Sequence, residues 1–165
     1  MSVFSLARSG NDTSRWAVRV WSYGRWFQSS QHVELPVGLY KPTVCIVDSD
    51  AAIRSALSAL VSTLPVHVLL FGDAESMLRN LPEDDIACVI CEIDLPGRSG
   101  IQLVEEMRRA GRKVPTILLT SDGDVPTAVS ALQAGAVDFI EKPFVDRQLL
   151  ERVQKAVASS QQDHA

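Results

Sequence analysis

The stretch from Ala87 to Gly100 most constrains what this chain can fold into. An almost unbroken apolar run, carrying Ala87, Val89, Ile90 and two cysteines, ends at Glu92 and breaks into Leu95-Pro96-Gly97 and then Ser99-Gly100. Such a run suits a strand covered on both faces, and the proline and glycines stop it abruptly. An acid therefore stands at the carboxyl end of a buried strand. In open parallel sheets ligands and chemistry collect at that edge, because loops converge there while helices cover both faces.

The flanking segments repeat the theme. Thr43 to Val47 reads as a short strand, followed by a helix over about 51–63 with Ile53, Leu57, Leu60 and Val61 along one side. Val66 to Phe71 reads as a second strand, and Asp73 is placed to cap a short helix containing Met77 and Leu78. Beyond Glu92, the spacing of Ile101, Leu103, Val104 and Met107 predicts a helix that stops near Gly111. Thr116 to Thr120 is a fourth strand, from which Ser121-Asp122-Gly123-Asp124 leads into a helix over about 126–134 with Pro126 in its first turn. Val137 to Ile140 is a fifth strand, and a last helix is expected over 147–158. Five strands alternating with five helices predict an α/β fold, a doubly wound parallel sheet sandwiched by helices.

With 165 residues, 46% hydrophobic and 22% charged, the chain is long enough to bury such a core. Its formal charge of -4 is unevenly spread. Residues 1–40 carry Arg8, Arg15, Arg19 and Arg25 against Asp12 and Glu34, a net of +2 that leaves -6 for the rest. An acidic body is unsuited to gripping nucleic acid through general charge, so no direct nucleic-acid partner is expected. No apolar run approaches the roughly 20 residues of a membrane span, and no compact apolar region of signal-peptide type opens the chain. A cytoplasmic protein without membrane contact is expected. Cys45, Cys88 and Cys91 are odd in number and lie in apolar runs, which favours reduced core thiols over disulfides. Cys88 and Cys91 have redox-motif spacing, but on a strand residues three apart face opposite sides.

Residues 1–41 differ in character, holding Trp16, Trp21 and Trp26 among many Ser and Gln with no helical period. They read as a flexible extension. The alternation Trp16, Val18, Val20 before Ser22-Tyr23-Gly24 would allow one weak hairpin, and aromatics beside arginines would suit a docking arm. The expected organisation is an extension over 1–41, a folded domain over 42–159 and a polar tail over 160–165.

Several strand ends supply polar groups: Asp48, Ser49 and Asp50 after the first strand, Glu92 after the third, Thr120 and Ser121 after the fourth, and Lys142-Pro143 after the fifth. Carboxylates, a hydroxyl and a lysine on one edge suit phosphoryl handling, where cations and hydroxyls hold the phosphoryl oxygens. Taken singly, each has a plainer reading, since an acid after a strand commonly caps the next helix. Asp50 is read chiefly as such a cap.

At this point the sequence resembles a known family, the receiver domain of bacterial two-component response regulators, over Pro42 to about Ser159. The motifs are Val47-Asp48, Leu95-Pro96 with Gly100 four residues after the proline, Leu119-Thr120, and Glu141-Lys142-Pro143-Phe144. The segment from Gly123-Asp124-Val125-Pro126 through Gly135-Ala136-Val137-Asp138-Phe139-Ile140 to Phe144 resembles the FixJ-type branch. The resemblance implies a flavodoxin-like fold and places Asp48 and Ser49 at the paired metal-site acids and Glu92 at the phospho-accepting aspartate. It also implies that Thr120 is the switch hydroxyl, Phe139 the aromatic that rotates with it, and Lys142 the phosphoryl-contacting lysine, commonly joined to Pro143 by a cis peptide. Mg²⁺ is the implied cofactor, with Asp48 and Glu92 as its carboxylate ligands and Asp94 at the pocket mouth, offering its carbonyl.

Two positions depart from that pattern, because the second acid is Ser49 and the acceptor is Glu92. One extra methylene moves a carboxylate by roughly 1.5 Å, and in-line attack tolerates little misplacement. Replacing an acid with serine removes a formal charge worth about 4 kcal/mol at about 4 Å for an effective dielectric near 20, before desolvation. Asp50 and Asp94 are candidates for partial compensation; acceptance of the phosphoryl by Asp94 conflicts with its place two residues before Pro96. A longer carboxylate also reaches toward the phosphoryl's space, so Glu92 beside Lys142 is a candidate to hold Thr120 and Phe139 partly in the switched arrangement.

The expected function is therefore an atypical, non-enzymatic receiver, phosphorylation-independent or weakly phosphorylated, that meets a histidine kinase or other signalling protein and dimerises through its 125–142 face. Ala128, Val129, Ala131 and Leu132 are apolar enough for such a face, although some must pack on the sheet. One alternative is a conventional phosphorylatable receiver from a DNA-binding regulator. Gln161 to Ala165 offer no recognition helix, and if the natural protein stops there a transcriptional effect is expected to pass through another protein. The other is a phosphatase of haloacid-dehalogenase type with Asp48 as nucleophile and Asp50 as acid/base, although no acid pair follows Lys142.

Overall fold

The computed structural model describes residues 3–8, 15–22, 25–34, 41–81 and 86–163. The chain divides into two compact units, Met1–Lys41 together with Gln162–Ala165, and Pro42–Gln161.

In the first unit, β1 (Val3–Arg8), β2 (Arg15–Ser22) and β3 (Arg25–Glu34) form an antiparallel sheet in that order. Val3 pairs with Trp21, and Trp21 with Trp26, while the register shifts between Ala17 and Arg19. Where the sequence suggested at most one hairpin in a flexible extension, three strands are present. Val20 of β2 pairs with Phe4 and Phe27, and Trp21 with Val3 and Trp26, so β-branched and aromatic residues meet on both sides of the middle strand. The expected turn at Tyr23-Gly24 lies outside the described residues.

The second unit alternates strand and helix: β4 (Thr43–Val47), α1 (Ala51–Val61), β5 (His67–Phe71), α2 (Ala74–Arg79), β6 (Ile86–Glu92), α3 (Gly100–Arg109), β7 (Thr116–Thr120), α4 (Val125–Ala134), β8 (Asp138–Glu141) and α5 (Asp146–Asp163). The five strands are parallel, in the order β5-β4-β6-β7-β8. This is the doubly wound sandwich expected. Alternate strand residues enter opposite layers. Cys45, Val47, Val89, Cys91 and Leu118 join Met77, Leu103, Met107 and Ala131 of α2, α3 and α4. Val44, Ile46, Cys88, Ile90, Ile117 and Leu119 join Leu57, Val61, Leu149 and Val153 of α1 and α5. Every residue of β6 is buried, and each large aliphatic there contributes about 1.5–3 kcal/mol of burial.

Cys88 and Cys91 lie in opposite layers, and all three cysteines are free and buried. Burial pushes the Cys45 thiol up to about 12 and the other two still higher, so none is poised as a thiolate nucleophile. Cap chemistry sets the helix starts: Asp50, Asp73, Ser99 and Asp124 accept amide hydrogens at the N-termini of α1 to α4. α5 runs to Asp163, beyond the expected 158 and into the predicted tail, because no glycine or proline interrupts 147–163. Residues 164 and 165 of that tail lie outside the described ones. Among the described residues, no helix is long and apolar enough to cross a membrane.

Candidate functional site

Strand order reverses about β4, whose two neighbours are β5 and β6, and the crevice above such a reversal is where α/β sheets hold ligands. Asp48 directly follows β4 and Glu92 closes β6, so their backbones meet at that crevice. Both side chains are buried, Asp48 at 3% and Glu92 at 8% exposure. The tight turn after Glu92 depends on a glycine: a Cβ at Gly100 would stand 2.4 Å from the Glu92 carbonyl oxygen.

Lys142 enters from the end of β8, held by its own amide donating to the Thr120 carbonyl at 2.7 Å and followed by a cis bond to Pro143. Its ammonium, in a side chain 17% exposed, donates to Asp48 Oδ2 at 3.2 Å and to Glu92 Oε2 in a short contact. Burial alone would lower the Lys142 pKa. The hydrogen bond and charge of Glu92, followed by those of Asp48, outweigh burial and raise it above 10.5. The remaining carboxylate oxygens are also engaged. Asp48 Oδ1 accepts the Asp50 amide at 2.9 Å, and Glu92 Oε1 accepts the amides of Ile93 at 3.0 Å and Asp94 at 3.4 Å. Each of the four oxygens thus has a protein donor.

The other expected site residues divide. Thr120 is buried beside this cluster at the end of β7, but its Oγ1 accepts the Asp122 amide and donates to the Asp122 carbonyl, both at 3.1 Å. The Thr120 hydroxyl thus pairs with the backbone of its own turn. Phe139 on β8 is half-buried against the layer of α2, α3 and α4. Asp50, grouped with the pocket acids from sequence, is exposed and turns its Oδ1 to the amides of Ala52 and Ile53 at 2.7 and 3.2 Å. Asp50 thus caps α1, the chief reading given to it from sequence. Ser49 and Asp94 are exposed.

Sequence reasoning missed Arg54. From the first turn of α1 it reaches back, and its Nη1 donates to the Asp48 carbonyl at 2.6 Å. A cation near the start of a helix carries no local signal for that role; only the cap at Asp50, which starts α1 directly beside β4, makes the contact reachable.

The donor set does not fit a divalent cation as it stands. Mg²⁺ asks for near-octahedral oxygens including free carboxylate lone pairs. Here Lys142 bridges the two buried acids and Ser49 adds no charge. Among the described residues, no group of three or more His, Cys, Asp or Glu side chains could hold a metal ion.

Comparison with known proteins matches residues 44–154 to the response regulator receiver domain. The chain is 37% identical over 121 residues to the transcriptional regulatory protein FixJ of Bradyrhizobium diazoefficiens, covering 73% of this chain and 59% of that protein. It is 35% identical over 138 residues to nodulation protein W of the same organism, covering 84% and 58%. It thus spans less than two thirds of the length of these relatives. A crystal structure of a response regulator receiver protein from Pseudoalteromonas atlantica, 40% identical, superposes with a TM-score of 0.68 over 72% of this chain and 99% of that one. Site geometry, strand order and these similarities agree: the chain belongs to the response regulator receiver domain family, in its FixJ-type branch.

Proposed function

We propose that this chain is an atypical cytoplasmic receiver module of two-component signalling, working through protein–protein contacts and taking up a phosphoryl group weakly or not at all. One observation carries the reading: both oxygens of Glu92 are already bound, Oε1 by two backbone amides and Oε2 by the Lys142 ammonium. Attack from the acceptor position would start from a carboxylate already held by these donors, and the extra methylene displaces it by roughly 1.5 Å from where an aspartate would act. Commitment of the Thr120 hydroxyl to the Asp122 backbone supports a resting module over a self-switched one.

A histidine kinase or another signalling protein is the partner class of this reading, and the 125–142 face is its docking or dimer surface. Val125, Val129, Leu132 and Val137 are 75%, 45%, 53% and 55% exposed there, and an apolar face of this kind suits association.

Acetyl phosphate with Mg²⁺, read by intact mass, tests the reading. The wild type is expected to stay unmodified, and the Glu92→Asp, Ser49→Asp double variant to gain one phosphoryl group. A stoichiometric adduct on the wild type would overturn the proposal.

A further inference from the structure

The family's acidic pocket ordinarily calls for a divalent cation, and the donor set here does not fit one. We propose that Lys142 is the resident counter-cation of the pocket and takes that ion's place, so the folded domain neither needs Mg²⁺ nor is stabilised by it. This inference rests on the reading of the pocket as one that takes up a phosphoryl group weakly or not at all.

Three observations converge. The Lys142 ammonium reaches one oxygen of each buried acid and so supplies a positive charge to both. The other two oxygens accept backbone amides, Asp48 Oδ1 from Asp50 and Glu92 Oε1 from Ile93 and Asp94. A second positive group, the Arg54 guanidinium, sits on the Asp48 carbonyl. With Asp48, Glu92, Lys142 and Arg54 counted together, the formal charges cancel. A strongly hydrated divalent ion entering this site would have to shed water, displace Lys142 and leave that ammonium partly buried without its partners. Ser49 offers only a neutral hydroxyl in return, and the Asp50 carboxylate is held by α1.

A variant without the ammonium should behave in the opposite way. Lys142→Met keeps an unbranched stem and removes the charge, leaving two buried carboxylates without the ammonium they share and the cluster one positive charge short. Mg²⁺ then becomes the available counter-ion.

Thermal unfolding of the full chain, with chelator or with millimolar Mg²⁺ at matched ionic strength, tests this. The wild-type midpoint is expected to stay where it is. The Lys142→Met midpoint is expected to be lower in chelator and to rise by roughly 4 °C on adding Mg²⁺. A folded variant indifferent to Mg²⁺ would overturn the proposal. So would saturable Mg²⁺ binding to the wild type by titration calorimetry, a measurement that stands even if the variant does not fold. Mg²⁺ binding without an acetyl phosphate adduct would defeat this inference alone, whereas a stoichiometric adduct would defeat the functional reading beneath it.

Discussion

Between Asp48 and Glu92, two acids that each retain under a tenth of their exposure, a single ammonium supplies the shared side-chain donor. Removing it leaves buried carboxylates uncompensated. The cost is about 2 kcal/mol, on the low side for a broken buried pair because the Lys142 side chain keeps 17% exposure. Because the folded-state pKa of Lys142 is raised above 10.5, its stabilisation is complete below that pH and is lost as pH climbs through the folded value. Chemical unfolding of wild type and Lys142→Met should therefore differ by a constant amount up to about pH 10 and converge above it; a gap that persisted through strongly alkaline pH would contradict the ion-pair account. At this scale the sequence was legible wherever a residue ends a strand. Asp48, Glu92, Thr120 and Lys142 could be placed on one edge because strands point their ends there. Arg54 was not legible, since its role depends on the distance between α1 and β4, and the partner of the Thr120 hydroxyl depends on the local turn through Asp122.

Among the elements, α4 shows how a helix of small and apolar residues divides its labour. Ala131 and Ala134 are buried, while Val125, Val129 and Leu132 stand outward, with Gly135 closing the helix at φ 112°. The mixture of packing and outward positions was foreseeable from period, but which residue took which side was not, because alanine satisfies both environments. If the outward face is the self-association surface, the full chain should sediment as a dimer, and Val129→Glu with Leu132→Glu should sediment as a monomer. Exposed substitutions of this kind usually change stability by no more than about 0.5 kcal/mol each. An unchanged dimer would move the interface elsewhere. Boundaries were read less well than types: α5 extends past its expected end because polar residues with helix propensity carry no stop signal.

For the molecule as a whole, the alternation of apolar runs with amphipathic segments determined the sandwich, since buried parallel strands need helices on both faces. The first unit was harder to foresee. Its register rests on cross-strand pairing between segments that are individually short and polar at many positions, so local pattern alone favoured one hairpin over three strands. In the larger unit Lys142 pairs with both Asp48 and Glu92, and on the reading proposed above Thr120 and Phe139 are uncoupled from any phosphoryl signal. The most direct measurement is the amide NMR spectrum of the full chain with and without Mg²⁺ and beryllofluoride, which imitates a phosphoryl group on a carboxylate. The account predicts superimposable spectra at Glu92, Thr120, Phe139 and Lys142. Saturable shifts at these amides, spreading to α4, would contradict it.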